Sequence, residues 1–200
     1  MSREFHKPVR RPSDVIDELG GSGDPADLSA VAHDTAAALL HRVRAADDPA
    51  SVEQLLAYTD ANGVSELAEL WSSAGATSLP GTLWRLYRVR QVVVDAPEPA
   101  SYLFRRGLDI DQGVNQAIAG APTAPSPEEL VSLATEILRG AFTGDFAVAL
   151  ERAAAFSRVL ALGCDDVAHG EAASERGHRY RALADEFTAA AALWRQDRLH

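Results

Sequence analysis

The sequence predicts an all-α protein: about eight helices in a single compact bundle or array, behind a flexible basic N-terminal arm. Three observations predict it. Apolar residues recur with the 3.6-residue helical period along most of the chain. Several of the ten prolines stand where a helix should begin, at a position that needs no N–H and accepts a fixed φ. No segment shows a strand pattern of comparable strength. Gln91-Val-Val-Val94 is β-branched but falls inside a helical period.

The elements follow in order. Residues 1–24 form the arm, with Gly20-Gly-Ser-Gly23 as its hinge, and the domain spans 25–200. Asp24 caps a helix over 25–46 whose inward face is Leu28, Val31, Thr35, Leu39 and Arg42. A helix over 49–61 ends at Gly63, and Ser65 caps another over 66–74 that carries Leu67, Leu70 and Trp71. Ser78-Leu-Pro80 opens a helix to about 95, and Pro97 and Pro99 separate it from one over 99–107. A weaker helix covers 109–119. The Pro-rich stretch 120–126 is a linker. Ser126-Pro-Glu-Glu129 is a capping box that opens 127–139. Gly140 and Gly144 bracket a turn before helix 145–162, striped by Phe146, Ala149, Ala153, Phe156 and Leu160. The last helix, from about 166 to 196, spaces Tyr180, Leu183, Phe187, Ala190 and Trp194 as a bundle seam.

Composition narrows the function. The 200 residues are 46% hydrophobic and 24% charged, with a net charge of -10. A chain of this length buries roughly 70% of its unfolded surface, enough for a sizeable core. The single cysteine, Cys164, excludes an intrachain disulfide framework, a cysteine-clustered zinc site and an iron–sulfur cluster. No run of 18 apolar residues suggests a membrane span, and the first residues lack the apolar region of a secretory signal, so a cytoplasmic protein is expected. Charge is uneven. Arg3, Lys7, Arg10 and Arg11 against Glu4 give +3, and five arginines against two acids over 80–106 give another +3. The remainder carries -16, which disfavours a nucleic-acid backbone.

Residues 61–67 look like a DNA-binding turn, but the following helix carries Glu66 and Glu69 and no base. Glu175-x-x-His178 has the spacing of a di-iron ligand pair, and Asp166-x-x-His169 echoes it. Nine residues of separation turn the two to opposite sides, so neither a metal nor any other cofactor is expected. Asp165, Asp166 and a helix C-terminus should raise the Cys164 thiol pKa and leave it inert. No nucleophile elbow or phosphate loop is present.

One site candidate survives. At about 100° per residue, Arg90 falls inside a broad apolar arc with Leu83, Leu86, Tyr87, Val89, Val93 and Val94. An arginine there needs a carboxylate or a ligand; Glu69, Asp145 and Glu151 are candidate partners. Arg85 and Arg88 fall on the outer side, flanked by Trp84 and Gln91; arginine beside Trp and Tyr is the composition of interface anchors, and Arg105 and Arg106 extend the basic surface.

Ser78-Leu-Pro-Gly-Thr-Leu-Trp-Arg-Leu-Tyr87 and Thr143-Gly-Asp-Phe-Ala-Val-Ala-Leu-Glu-Arg152 resemble a set of small actinobacterial helical proteins without an assigned activity. Some members carry the names RNA polymerase β subunit or thymidine phosphorylase, for which this chain has neither the size nor the motifs. The resemblance covers most of the chain after about residue 25. It implies an all-helical cytoplasmic protein and transfers no catalytic residue. One lysine against eighteen arginines then suits a GC-rich genome.

The expected function is non-enzymatic: a helical interaction or scaffold protein, with a protein partner or a second copy of itself at Trp84, Arg85, Tyr87 and Arg88. The alternative is a bundle that binds or transforms a small anionic ligand through Arg90. A third reading is a nucleic-acid-associated factor that uses the basic arm.

Overall fold

The computed structural model describes residues 25–46, 54, 70–167 and 171–199. Among the described residues are seven helices and no strand. They are α1 (Pro25–Ala46), α2 (Leu79–Asp95), α3 (Pro97–Ile110), α4 (Val114–Ala119), α5 (Pro127–Thr143), α6 (Phe146–Asp166) and α7 (Glu171–Arg195). The expected arm, most of the helix at 49–61, the turn at 61–67 and His169 lie outside the described residues.

The helix starts follow local chemistry. Ser78 accepts a hydrogen bond from the Gly81 N–H, with Pro80 in the first turn of α2. Ser126 and Glu129 complete a reciprocal capping box on α5. Asp145 accepts from the N–H groups of Ala147 and Val148 at the start of α6. Each satisfies donors that the first helical turn leaves open. Only Ala96 separates α2 from α3, because Pro97 and Pro99 both fit within a first turn. α4 is shorter than expected: it sits between Gly113 (φ 85°) and Gly120 (φ 72°), whose left-handed backbones end the flanking segments. The 120–126 stretch is fastened by the buried Ser101 hydroxyl, which donates to the Pro125 carbonyl at 2.8 Å.

Two glycines read as helix ends lie within helices. α5 runs through Gly140 to Thr143, and α6 runs through Gly163 to Asp166. Gly163 serves packing. A Cβ there would land on the Leu103 carbonyl oxygen, 2.7 Å from its carbon and 3.1 Å from the Gly107 nitrogen. Gly107 is its counterpart, with a Cβ falling on the Val159 carbonyl oxygen. Two glycines facing one another therefore let α3 and α6 touch backbone to backbone.

α6 is the hub, packed against α7, α3, α4 and α5, while α2 packs on α5 and α1. Phe146, Leu150, Phe156, Val159 and Leu160 of α6 are buried, with alanines between them that allow close helix approach. Phe156 stacks at a tilt on Phe104, with centroids 4.9 Å apart, and Phe146 meets the edge of Trp194 at 4.8 Å. On α7 the deepest positions are Ala184, Phe187, Ala190 and Ala191, and Tyr180, Leu183 and Trp194 are partly covered.

The inward face of α1 differs from the expectation. Ala32, Ala36 and Leu40 are buried, whereas Leu28 and Val31 are each 41% exposed and Arg42 faces solvent. The small alanines let α1 approach α2 closely, so the stripe that packs is centred on them rather than on the larger aliphatics. Thr35 stays at the edge of the contact and accepts a hydrogen bond from Trp71 Nε1 at 3.1 Å. Arg44 donates from Nη2 to the carbonyls of Ala141 (3.1 Å) and Gly144 (3.2 Å), and its guanidinium lies over the Trp194 ring. No described helix is long and apolar enough to cross a membrane.

Candidate interaction face on α2

The sequence candidates cluster on α2 and α3, but the structure gives them different work. α2 buries Leu83, Leu86, Val89 and Val93; Trp84, Tyr87 and Gln91 are half-buried beside that face, the two aromatics packed against the core's edge, and Arg88 and Val92 are exposed. Trp84 and Tyr87 stack with centroids 5.8 Å apart and planes at 24°. The exposed Arg88 places its guanidinium 5.7 Å from the Trp84 centroid. Val92, one turn further along, is 39% exposed. The result is an aromatic shelf carrying a cation. A guanidinium held over a ring keeps its charge and its donors while losing less freedom on contact with a partner.

Arg85 does not stand on the outer side. Its Nε donates to Glu186 of α7 at 2.8 Å, and Nη1 donates to the carbonyls of Gly81 (3.0 Å) and Ala74 (3.4 Å). It ties α2 to α7 and to the turn before α2. The carboxylate lies 101 positions away in sequence, so helical periodicity on α2 alone could not reveal it.

Arg90 is 6% exposed, as its arc position requires. Its Nε donates to the Thr135 hydroxyl of α5 at 3.0 Å. Two of the three carboxylates considered for it are engaged elsewhere. Asp145 caps α6, and Glu151 takes a two-pronged bond from Arg195. Arg105 is exposed on α3. Arg106 pairs with Asp166 at the end of α6 and with Asp109. Its hydrogen bond to Asp166 raises its pKa further above the ordinary range. The seven candidates thus do not form one surface: Trp84, Tyr87 and Arg88 stand together, while Arg85, Arg90 and Arg106 join helices.

The other motifs resolve plainly. Glu175 pairs with Arg179 at 2.7 Å, and His178 is exposed. Among the described residues, no three His, Cys, Asp or Glu converge as metal ligands. The Cys164 thiol pKa is raised, as expected, but burial is the main cause; Asp165 adds to it while Arg176 and Arg181 oppose it. Two features escaped the sequence reading. One is the Val92 extension of the aromatic shelf. The other is a groove of about 810 Å³ between the start of α1 and the 70–80 turn, lined by Leu28, His33, Asp34 and Pro80 among others.

Comparison of the chain with protein-family models, with curated proteins and with solved structures finds no match.

Proposed function

We propose that this protein is a non-enzymatic helical interaction module, and that the outer face of α2 docks another protein. The observation that carries the reading is the Trp84–Tyr87 stack with Arg88 over it and Val92 beside it. Aromatic residues and arginine are the side chains most enriched where partner proteins bind. The surface suits a partner with an apolar contact for Val92 and a carboxylate for Arg88. Arg85 is excluded from this surface because Glu186 engages it. The Arg90 alternative is not adopted: its bond to Thr135 across the α2–α5 contact supports a structural role. A cytoplasmic setting belongs to the same proposal, since one buried thiol with no disulfide partner in the chain fits a reducing compartment.

The test places a photo-reactive side chain at position 88 and, as a control, at the exposed Val148 position. We expect a discrete adduct from position 88 that Val92→Asp removes. Adducts equal at both positions, or unchanged by Val92→Asp, would overturn the reading.

A further inference from the structure

We infer that the α4 side of the molecule is a self-association face on which two copies pair symmetrically. Two adjacent features carry this. The first is a ridge: Val114 and Ile118, one turn apart on α4, are 64% and 47% exposed, and Ile110 before them is 45% exposed. The second is a cleft of about 270 Å³ beside it, lined by Asn115 of α4, Arg158, Ala161 and Leu162 of α6, and Arg181 and Asp185 of α7.

The two share one side of α4. Ala119 is fully buried and points α4 toward the core. At about 100° per residue, Ile118 lies about 60° from Asn115 around the helix, and Val114 lies about 40° beyond. The apolar ridge therefore borders the cleft that Asn115 lines. A protrusion next to a hollow is self-complementary under a two-fold axis: the ridge of each copy enters the cleft of the other. The hollow has ample room for a branched aliphatic side chain, and Ala161 and Leu162 give it an apolar floor.

Charge favours a second copy here. Two chains of net -10 repel, so contact costs least where the surface is not acidic. The cleft supplies two guanidiniums against the carboxylate of Asp185, and Asp165 at its edge pairs with Arg181. Arg158 is held by the Thr188 hydroxyl at 2.8 Å. The rim is therefore close to charge balance, and its polar groups have partners within their own chain. Two copies could close without stranding a buried ion.

Sedimentation velocity of the full chain over a wide concentration range tests this. Wild type should shift from monomer to dimer with concentration. Val114→Asp with Ile118→Asp removes the ridge and should weaken association about thirtyfold or more, the scale of losing an interface anchor. Leu162→Trp fills the cleft and should do the same from the other side. Val148→Asp, at an exposed position on the first turn of α6, and Arg88→Glu should leave the dimer unchanged. Circular dichroism confirms folding, and if one of the two disrupting variants misfolds, the other decides. A monomer at every concentration overturns the inference, as does a dimer that survives the disrupting variants or one that Val148→Asp weakens equally. The Arg88→Glu arm keeps this result separate from the reading of α2.

Discussion

Gly163→Ala should destabilise the protein, although alanine is the better helix former. Replacing glycine by alanine inside a helix ordinarily gains about 1 kcal/mol. At Gly163 the new methyl would sit 2.7 Å from the Leu103 carbonyl carbon, where carbon atoms prefer about 3.5 Å or more. The obstacle is backbone, so no rotamer change relieves it, and α3 and α6 must separate. Overpacking of this kind costs about 1–3 kcal/mol and sometimes more. Here it also loosens the Phe104–Phe156 contact between the same two helices. We expect a net loss of about 2 kcal/mol, lowering Tm by about 4–8 °C for a chain of this size. Gly140→Ala is the matched control. It too lies inside a helix, but its new Cβ meets only the Ala149 Cβ at 3.8 Å, an ordinary contact. That variant should gain about 0.5–1 kcal/mol. Thermal and urea unfolding followed by circular dichroism would read both. A Gly163→Ala variant as stable as Gly140→Ala would refute the backbone contact between α3 and α6.

Three further outcomes follow from the contacts. Arg44→Ala should cost about 1 kcal/mol by uncapping the α5 C-terminus, and should shift Trp194 fluorescence; unchanged emission would contradict the placement of Arg44 over that ring. Hydrogen bonds from Arg195 hold the Glu151 carboxyl below its ordinary value of 4.5, with burial opposing. A pKa lowered on folding stabilises above the unfolded value and is lost as pH falls through the folded one, so this pair's contribution should fade below about pH 4.5. Arg195→Gln should return the carboxyl toward 4.5 in an NMR titration, and an unmoved pKa would show that the pair does not form in solution. Cys164, buried and with a raised pKa, should resist alkylation near neutral pH until the chain is unfolded; rapid reaction of the native protein would mean that the end of α6 opens.

Features set by neighbouring residues were legible in the sequence. The caps at Ser78, Ser126 and Asp145 depend on one side chain and N–H groups two or three positions away, so reading them requires no knowledge of the fold. The arc on α2 likewise placed Arg90 inward. Legibility failed where a distant element decides. Gly163 lies within a helix, and the contact its missing side chain permits is with Leu103, sixty residues earlier. Arg85 turns inward because α7 presents Glu186. On α1, larger side chains suggested a face through Leu28 and Val31, but close packing selected Ala32 and Ala36. The missed part of the candidate face has the same origin: the exposure of Val92 reflects where α5 and α1 do not cover α2.

The arginines show how far an argument from composition reaches. A ratio of one lysine to eighteen arginines fits a GC-rich genome, yet the fold uses properties that only arginine has. Arg44 donates to two carbonyls at the end of α5 while lying over Trp194. Arg152 donates from Nε to Ala119 O at the end of α4 and from Nη2 to Glu136 of α5. Arg85 divides itself between a carboxylate and two carbonyls. Each role needs several donors fixed in one plane, which a lysine ammonium on a flexible stem does not offer. Such bonds close helix ends with side chains from other helices, so tertiary contacts reinforce the ends of α4 and α5. Genome composition can account for how many arginines the chain carries, while geometry accounts for why these ones could not be exchanged for lysine. Arg88 stands apart from them: it is exposed, and its described contact is with the Trp84 ring of its own helix rather than with another element, which is what the proposed docking face draws on.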